Sequence, residues 1–279
     1  MPTVLVTGAG RGIGRATALR LAAGGWDVVA GVRRAQDGEA LAGEGGERIV
    51  PIELDVTDSD QIASLRDALP ARLEGVVNNA GVVVTGPVES VPVDELRRQM
   101  EINLIGQAAV TQAVMKQVRA ARGRVVFVSS LSGRVATPMT GAYNASKFAL
   151  EGLADSLRME VHPWGVRVVL VEPAQVDTDI WQGAQGAFDE AVAGLAPLQR
   201  ELYRKHIAGW RKAIPFSQRM AAPVDGVAAT IERALTARRP KARYVVGAGP
   251  QIQGVLSAVT PTAVRDALLR KATGVPRRP

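Results

Sequence analysis

Cysteine is missing from the chain, and histidine occurs only twice among its 279 residues. The absence of cysteine excludes disulfide bonds, thiolate metal sites and a cysteine nucleophile. The two histidines, His162 and His206, are isolated from each other in the sequence. We therefore expect no metal site.

Long apolar runs are also missing, since no stretch reaches the roughly 18 residues that suggest a membrane-spanning helix. The first residues, MPTVLVTGAG, do not combine a basic segment with a following long apolar run. This pattern predicts that there is no secretory signal. We expect a cytoplasmic protein without a transmembrane segment.

The excess of positive charge is not concentrated in one place. The chain carries a net charge of +7, yet its basic residues are dispersed except at Arg238–Arg243 and at Arg277–Arg278. Dispersed charges are typical of a solvated surface, whereas a nucleic-acid site needs a clustered patch. We therefore expect no nucleic-acid partner.

Short β-branched runs alternate with Ala- and Leu-rich helical patterns along most of the chain, beginning with Thr3–Thr7. This alternation predicts an α/β fold with a parallel sheet. Internal repeats and linker-like segments are absent from the sequence, so residues 1–279 are predicted to form one domain with a tail at 250–279. The alternation lapses between Asp179 and Met220, where most of the few aromatic residues lie among charged ones.

A glycine-rich motif, TGAGRGIG at Thr7–Gly14, follows the first predicted strand and precedes a predicted helix. Gly8 permits the turn, Gly12 lets the backbone approach a pyrophosphate, and Gly14 allows close packing of the helix. The helix N-terminus would offer N–H groups and a positive dipole end to that anion. Because the spacing is G-x-x-x-G-x-G rather than G-x-G-x-x-G, the motif indicates a particular group of dinucleotide-binding proteins.

The end of the second predicted strand, Asp27–Val32, bears on the choice of nucleotide. An acidic residue there would bind the adenosine 2′-hydroxyl of NAD(H). Val32 occupies that position, Arg33 follows it, and Arg11 in the glycine loop adds a second guanidinium. Two cations and no carboxylate favour a 2′-phosphate, which predicts NADP(H) rather than NAD(H). The alternative is a pair of surface arginines.

Polar residues recur near the ends of later strands. NNAG at Asn78–Gly81 follows the fourth predicted strand, and Ser130 follows the fifth, Gly123–Ser129. Catalytic and binding groups of open parallel sheets gather at this edge. Asn103 lies within a long helical pattern, where asparagine is mildly unfavourable, so it faces solvent or performs a task. NNAG alone is also compatible with an ordinary turn.

Tyr143 and Lys147 stand four residues apart in a predicted helix, which places them one turn apart on the same face. A nearby ammonium group favours the phenolate and lowers the pKa of a tyrosine from about 10 toward neutrality. Ser130 would supply a hydroxyl that holds the substrate oxygen. Tyr203 and Tyr244 have no lysine at this spacing, but one such pair alone is a weak signal.

Taken together, these motifs resemble those of the short-chain dehydrogenase/reductase family, with Ser130 preceding Tyr143 by 13 positions as in the family pattern. The resemblance extends over roughly Thr3–Thr178. It implies a Rossmann-like, doubly wound parallel sheet of about seven strands in three layers, and a nicotinamide cofactor. The last third of the chain, including Lys241–Gly247, looks loosely like the branch that acts on retinoids and hydroxysteroids.

The resemblance also implies roles for individual residues. Tyr143 would be the acid/base and Ser130 would orient the substrate carbonyl. Lys147 would lower the Tyr143 pKa and bind the nicotinamide ribose, while Asn103 would support a water-linked proton relay. The implied cofactor contacts are Gly8, Arg11, Gly12, Ile13, Gly14, Arg33, Asp55, Val56, Asn79, Ala80, Gly81, Tyr143, Lys147, Pro173, Val176 and Thr178.

The region after the sixth predicted strand departs from the family pattern. Pro173 is followed by Ala174 where the family usually has glycine, and a Cβ there would narrow the space beside the nicotinamide. The segment 179–220 starts next to Thr178, and its aromatic and apolar residues are separated by charges. We interpret it as a cover over an apolar substrate pocket rather than as ordinary helical packing.

The predicted function is an oxidoreductase that transfers hydride between NADP(H) and a small apolar secondary alcohol or ketone, as a homodimer or homotetramer. A non-catalytic, nucleotide-sensing regulator on the same fold is the alternative. A sensor need not keep Ser130, Tyr143 and Lys147, so their presence favours the enzyme. An epimerase or dehydratase would share the Tyr–Lys pair but usually has a larger C-terminal substrate domain.

Overall fold

The computed structural model describes residues 1–247 and 260–276, apart from the side chains of Ile180, Trp181 and Phe216. Seven parallel strands form one sheet in the order β3-β2-β1-β4-β5-β6-β7. The expected doubly wound, Rossmann-like sheet is confirmed, whereas the single-domain organisation stays a prediction. The strands are β1 (Thr3–Thr7), β2 (Asp27–Val32), β3 (Ile49–Glu53), β4 (Gly75–Asn78), β5 (Arg124–Val128), β6 (Arg167–Pro173) and β7 (Arg243–Val246).

Helices cover both faces of the sheet, and none in the described ranges is long and apolar enough to span a membrane. They are α1 (Gly12–Ala23), α2 (Ala35–Gly45), α3 (Ser59–Ala68), α4 (Val93–Met100), α5 (Gly106–Ala121), α6 (Gly141–Val161), α7 (Asp179–Gln182), α8 (Ala184–Ala193), α9 (Pro197–Leu202), α10 (Arg204–Arg219), α11 (Val224–Thr236) and α12 (Thr262–Thr273). Residues of α1, α2 and α11 line one apolar cluster, and those of α3, α5 and α6 line the cluster on the other face.

The composition of the central strands explains why they are buried on both faces. Strands β4, β5 and β6 are dominated by continuous valine-rich runs rather than by alternating apolar and polar residues. Such runs suit a parallel sheet that helices cover on both sides. The sheet therefore forms the middle layer of three.

The strand order reverses at β1, because β2 and β3 lie on one side of it and β4 to β7 lie on the other. In sheets of this kind, the reversal opens a crevice at the carboxyl ends of the strands, where ligands bind. The glycine loop leaves β1 at this point, and Asn79–Gly81 leaves β4 beside it. The fold therefore brings two of the predicted cofactor-binding segments to one edge.

A continuous helical stretch joins α4 to α5 through a π-helical turn at Glu101–Ile105. Such turns are rare and are frequent at functional sites. Asn103 lies in this turn and is fully buried. The irregular turn thus coincides with the helical asparagine that the sequence singles out.

Residues 179–219 form the four helices α7 to α10, which have a small apolar core of their own. This core packs against the loop before α6, four residues ahead of Tyr143, through Met139. Helix α10 also approaches the end of α12 closely, since a Cβ at Gly209 would lie 2.8 Å from the carbonyl oxygen of Gly274, the residue after α12. The cluster comprises Met139, Phe188, Val192, Leu195, Ile207 and Ile214.

Candidate active site

The glycine loop between β1 and α1 is folded tightly against itself. Gly8 and Gly12 have φ values of 63° and 54°, in the left-handed region that favours glycine. A Cβ at Gly14 would overlap the Gly8 carbonyl oxygen, so a larger residue there would force the loop open. The structure thus gives Gly8 a turn and Gly14 a close packing contact.

Asn79 holds this loop to the end of β4. Its Nδ2 donates to the carbonyl oxygens of Thr7 and Gly8, at 3.0 and 3.2 Å. The backbone N–H groups of Asn79 and Ala80 donate to Thr7 Oγ1, at 3.0 and 3.1 Å. Asn79 therefore braces the loop with its side chain, and the supporting role of Thr7 was missed by sequence reasoning.

The N-terminus of α1 has the features of a phosphate site. Within the described part of the chain, the side chain of the N-cap residue Arg11 makes no capping hydrogen bond. The first turn of α1 contains no acidic residue. Its leading N–H groups and positive dipole end are therefore available to an anion. Gly12 faces Thr178, whose side chain would lie 3.4 Å from a Cβ at the glycine. Ile13 packs on the apolar core beneath, so these residues fit the pyrophosphate of a dinucleotide.

The side chains of two arginines beside this cleft have no partner in the described part of the protein. Arg11 and Arg33 are exposed, and neither side chain makes a hydrogen bond or an ion pair with the described residues. Arg34, in contrast, donates two hydrogen bonds to the Asp37 carboxylate, at 2.9 and 2.8 Å. Arg11 and Arg33 are therefore the guanidinium groups that remain to bind a phosphate.

The end of β2 itself carries no carboxylate, as expected, but a carboxylate lies nearby at the same edge. Asp37, in the first turn of α2, comes back toward the glycine loop, and a Cβ at Gly10 would lie 3.1 Å from its Oδ2. The sequence pattern considers only the strand end and misses a carboxylate that a following helix returns. Because Arg34 pairs with Asp37, the guanidinium of Arg34 largely balances the negative charge of the Asp37 carboxylate.

Asp55 and Val56, which were expected to face the adenine, follow β3 at the same edge. Asp55 Oδ1 accepts hydrogen bonds from the backbone N–H and the hydroxyl of Thr57, at 2.9 and 2.8 Å. The Asp55 backbone N–H donates to Gln61 Oε1 at 2.6 Å. Val56 is buried against Gly106, where a Cβ would overlap its carbonyl oxygen. These contacts hold the turn in one conformation.

Four buried polar side chains follow one face of the helical stretch through α4 and α5, each four residues after the last. They bind every second residue of the extended segment 78–84, which includes the end of β4. Gln99 binds Val84 N–H (2.7 Å) and Val82 C=O (2.8 Å), Asn103 binds Val82 N–H (2.9 Å) and C=O (3.0 Å), Gln107 binds Ala80 C=O (2.8 Å), and Thr111 binds the Asn78 side chain (2.8 Å).

The match between helix and extended chain is geometric. Four residues of a helix rise about 6 Å, and two residues of an extended chain span about 6.6 Å. Each step along the helix therefore meets the next alternate residue of the segment 78–84. Sequence reasoning missed Gln99 and Gln107, although their spacing of four from Asn103 was the signal that could have found them.

Asn103 also connects this stripe to α6. Its Nδ2 donates to Ser146 Oγ at 3.2 Å, and Ser146 Oγ donates to the Tyr143 carbonyl oxygen at 2.7 Å. Together with the bond to the Val82 carbonyl, these contacts use the amide donors of Asn103 within the protein. The side chain therefore braces the start of α6, and the water-linked relay stays a prediction.

Three of the four expected catalytic residues, Ser130, Tyr143 and Lys147, lie together at the carboxyl edge of β5 and on α6. The Ser130 hydroxyl lies near enough to the Tyr143 phenol to lower the pKa of that phenol. Lys147 is 4% exposed, and its Nζ lies 5.8 Å from the centre of the Tyr143 ring. The same Nζ donates a 2.8 Å hydrogen bond to the Val128 carbonyl oxygen. A phenol, a hydroxyl and a buried cation thus share one small region.

Burial governs the protonation of these groups. It raises the pKa of Tyr143 above its ordinary value, and the neighbouring Ser130 hydroxyl opposes part of that rise. Burial also lowers the pKa of Lys147 to about 8, against the charge of Glu151. Among the protein's own residues, lost solvation sets the direction of the Tyr143 pKa, and the lowering of this pKa by Lys147 stays a prediction. At neutral pH Tyr143 is a neutral phenol and Lys147 is a cation.

The segment after β6 contacts both the glycine loop and the loop of Ser130. The Pro173 carbonyl oxygen accepts a 3.4 Å hydrogen bond from Ser130 Oγ. Val176 is buried and forms a bridge with Ala222, and Thr178 lies next to Gly12. The predicted cofactor residues of this segment therefore lie at the same crevice as the catalytic group.

Comparison with known proteins identifies the family. The sequence profile of a family described as short chain dehydrogenase matches residues 2–187 of this chain. An NADPH-dependent 3-dehydrocapnine reductase of Ornithobacterium rhinotracheale is 33% identical over 256 residues, 88% of this chain and 88% of its own. Retinol dehydrogenase 16 of Mus musculus is 32% identical over 280 residues, 95% of this chain and 87% of its own. A short chain dehydrogenase from Burkholderia cenocepacia, solved in complex with NADP, superimposes with a TM-score of 0.75 at 26% identity, covering 96% of this chain and 97% of its own.

The chain therefore belongs to the short-chain dehydrogenase family, and it is an NAD(P)-dependent oxidoreductase of that family. The resemblance of the motifs is confirmed, including the similarity of the whole chain to the retinol dehydrogenase branch. The expectation of an enzyme is confirmed over that of a non-catalytic regulator.

Proposed function

We propose that the protein interconverts an apolar ketone and its secondary alcohol with NADP(H), acting chiefly as a reductase with Tyr143 as the proton donor. The grouping of Ser130, Tyr143 and Lys147 carries this proposal. No other tyrosine of the sequence has a lysine one helical turn later. The grouping also lies beside the uncapped N-terminus of α1, where the cofactor would bind.

In this reaction the bound nicotinamide supplies the hydride that reduces the carbonyl carbon. The Ser130 hydroxyl donates a hydrogen bond to the ketone oxygen and holds it beside Tyr143. The Tyr143 hydroxyl donates its proton to the same oxygen, so that the alcohol forms. Lys147 then stabilises the resulting phenolate with its buried positive charge.

The protonation of Tyr143 in the protein agrees with the reductive direction. Burial raises the pKa of its phenol, so the group is protonated at neutral pH and ready to donate. Alcohol oxidation would need the phenolate as a base, which this environment disfavours at neutral pH. The name of the NADPH-dependent 3-dehydrocapnine reductase agrees with this direction.

NADP(H) is the proposed nucleotide because the side chains of Arg11 and Arg33 have no partner among the described residues at the edge where a 2′-phosphate would lie. A structural relative was solved with NADP. Gly8, Gly12, Ile13 and Gly14 would hold the pyrophosphate through the N-terminus of α1. The remaining contacts would come from Asp55, Val56, Asn79, Ala80, Gly81, Pro173, Val176 and Thr178, with the ribose held by Tyr143 and Lys147.

The substrate is proposed to be apolar because the apolar core of the segment α7 to α10 packs against the loop before Tyr143. This segment, residues 179–220, would cover the substrate and exclude water. Retinol and estradiol, after which two relatives from Mus musculus are named, are apolar alcohols. A homodimer or homotetramer and a cytoplasmic location stay predictions.

The test is NADPH oxidation by the purified protein with a panel of ketones of increasing apolar size, followed by identification of the alcohol formed. We expect turnover to rise with apolar size and NADPH to be used in preference to NADH. An absence of turnover with every ketone, at a protein concentration where NADPH binding is measured, would overturn the proposal.

A further inference from the structure

A network of charged side chains lies directly behind the catalytic group. Its centre is Glu172, the penultimate residue of β6, whose side chain is fully buried. Arg134, just beyond the short helix Leu131–Gly133 that follows Ser130, binds this carboxylate through two nitrogens. The Nη2–Oε1 and Nε–Oε2 distances are 2.8 and 2.7 Å. A paired guanidinium and carboxylate of this kind fixes geometry as well as charge.

Arg243 on β7 extends the network to α6. Its Nε lies 3.2 Å from Glu172 Oε1 and 3.1 Å from Glu151 Oε2. Its Nη2 lies 2.6 Å from Asp155 Oδ2. Glu172 therefore contacts two guanidinium groups, one from the loop after Ser130 and one from β7.

The network reaches Lys147 through Glu151. Glu151 is one turn after Lys147 on α6 and is 7% exposed. Its negative charge opposes the effect of burial on the pKa of Lys147. The charges thus alternate in sign from Lys147 through Glu151, Arg243 and Glu172 to Arg134.

The same contacts seat the loop that carries Ser130. Ser130 Oγ touches the Pro173 carbonyl, next to Glu172 in the chain. Gly133 packs onto α6, since a Cβ there would lie 2.9 Å from Glu151 Cγ and 3.1 Å from the Lys147 carbonyl oxygen. The loop is therefore placed by β6 on one side and by α6 on the other, with the Arg134–Glu172 pair closing its far end.

We propose that Glu172 is a positioning residue for the reaction: its carboxylate holds Arg134, and with it the Ser130 loop, while keeping Arg243 in place to orient Glu151 beside Lys147. This role rests on the proposed function of Ser130, Tyr143 and Lys147. Neither Glu172 nor Arg134 would touch the substrate. Their effect on the reaction passes through the position of the Ser130 hydroxyl and the charge of Lys147.

The contacts of Glu172 with Arg134 and Arg243 form a brace, and the surroundings of Glu172 make this brace dependent on pH. Burial and the Glu151 carboxylate raise the pKa of Glu172 to about 7, against the charges of Arg134 and Arg243. Because the pKa is raised, the carboxylate is ionised above pH 7 and neutral below it. The charged groups that face it are Arg134 from the Ser130 loop, Arg243 from β7 and Glu151 from α6, with Asp155 behind Arg243. The brace is therefore strongest above pH 7 and weakens as the pH falls through 7.

The test compares the wild type with Glu172→Gln, which keeps the shape and removes the charge. We expect kcat/KM at pH 7.5 to fall about 10- to 100-fold, as for a displaced catalytic group, with the Kd of NADPH unchanged. The acid limb of the wild-type pH profile near 7 should disappear in the variant. Amide hydrogen exchange of residues 131–135 should become faster in the variant and, after correction for intrinsic rates, faster in the wild type at pH 6 than at pH 8.

Arg134 supplies the second arm, because its side chain is only partly buried, at 29% exposed. Arg134→Ala should reproduce the loss of kcat/KM, and Arg134→Lys should recover part of it. Glu95→Gln, which breaks an exposed pair with Arg98 on α4, is the matched control and should change none of these readouts.

An unchanged kcat/KM and an unchanged acid limb in either Glu172→Gln or Arg134→Ala would overturn the positioning role. If Glu172→Gln fails to fold, Arg134→Ala decides the question alone. If the wild type turns over no ketone, the proposed function fails, and the exchange of residues 131–135 still tests the brace. Equal exchange in the wild type and the variants would overturn it on that evidence.

Discussion

Lys147 Nζ lies 5.8 Å from the centre of the Tyr143 ring and is held there by a hydrogen bond to the Val128 carbonyl. The cation is therefore fixed beside the phenol by the end of β5. Burial nevertheless keeps the phenol protonated, because desolvation penalises its anion. In the proposed reaction, the pair would stabilise a phenolate that forms during the reaction rather than one that exists beforehand.

The first prediction concerns the cost of burying Lys147. Because burial lowers its pKa from 10.5 to about 8, the folded state binds this proton more weakly than the unfolded state does. The charged lysine therefore costs stability below pH 8, and this cost disappears as the pH rises from 8 to 10.5. We expect Lys147→Met to keep or raise the thermal midpoint at pH 7 while turnover falls about 10²-fold or more.

Lys116→Met, at an exposed position on α5, is the control and should leave turnover unchanged. Thermal unfolding and NADPH oxidation measured on the same samples decide the matter. A much lower midpoint together with near-normal turnover would show that Lys147 is structural.

The second prediction concerns the nucleotide. Arg33→Ala should weaken binding of NADPH by about 1.5–3 kcal/mol, the value of a hydrogen bond to a charged group. Binding of NADH should hardly change, because it has no 2′-phosphate. Arg98→Ala, on α4, removes a surface arginine away from this edge and serves as control. Calorimetric titration that finds equal losses for both nucleotides would show that Arg33 is only a surface residue.

Most of the fold was predictable because its signals are local. Glycine spacing, strand runs and the Tyr143–Lys147 pair each lie within one short segment of sequence. The parallel topology then brings every strand end to one edge, so motifs spread over the chain meet there. The predicted carboxyl-edge site followed from that rule.

Contacts between separate elements could not be predicted in the same way. Arg134, Glu151, Glu172 and Arg243 come from four elements that only the assembled sheet and α6 bring together. Asp37 was missed because a helix returns it to the glycine loop. The stripe of Gln99, Asn103 and Gln107 is different, since its four-residue spacing was visible, but the sequence does not show which extended segment it binds.

The third prediction concerns the proposed cover. Met139 is the residue that tests this cover, because its contacts with the cover lie within the described part of the structure. Met139 is buried in the cluster of α8 and α10 and has a left-handed φ of 64°. Met139→Gly and Met139→Ala should both raise KM for bulky ketones more than for small ones, because each removes the anchor of the cover.

The two variants should differ in stability in an unusual order. A left-handed backbone costs a non-glycine residue about 1 kcal/mol or more, so Met139→Gly should be the more stable of the pair. Urea unfolding of both variants measures this difference. A more stable alanine variant, or equal KM changes for small and bulky ketones, would contradict the assignment.

The role of Tyr143 as proton donor is tested most directly by Tyr143→Phe, which keeps the ring and removes the hydroxyl. Single-turnover reduction of a ketone by bound NADPH is the measurement, because it isolates the chemical step from release of products. We expect NADPH to bind as in the wild type and the single-turnover rate to fall about 10² to 10⁴-fold. A rate within a few-fold of the wild type would show that another group delivers the proton.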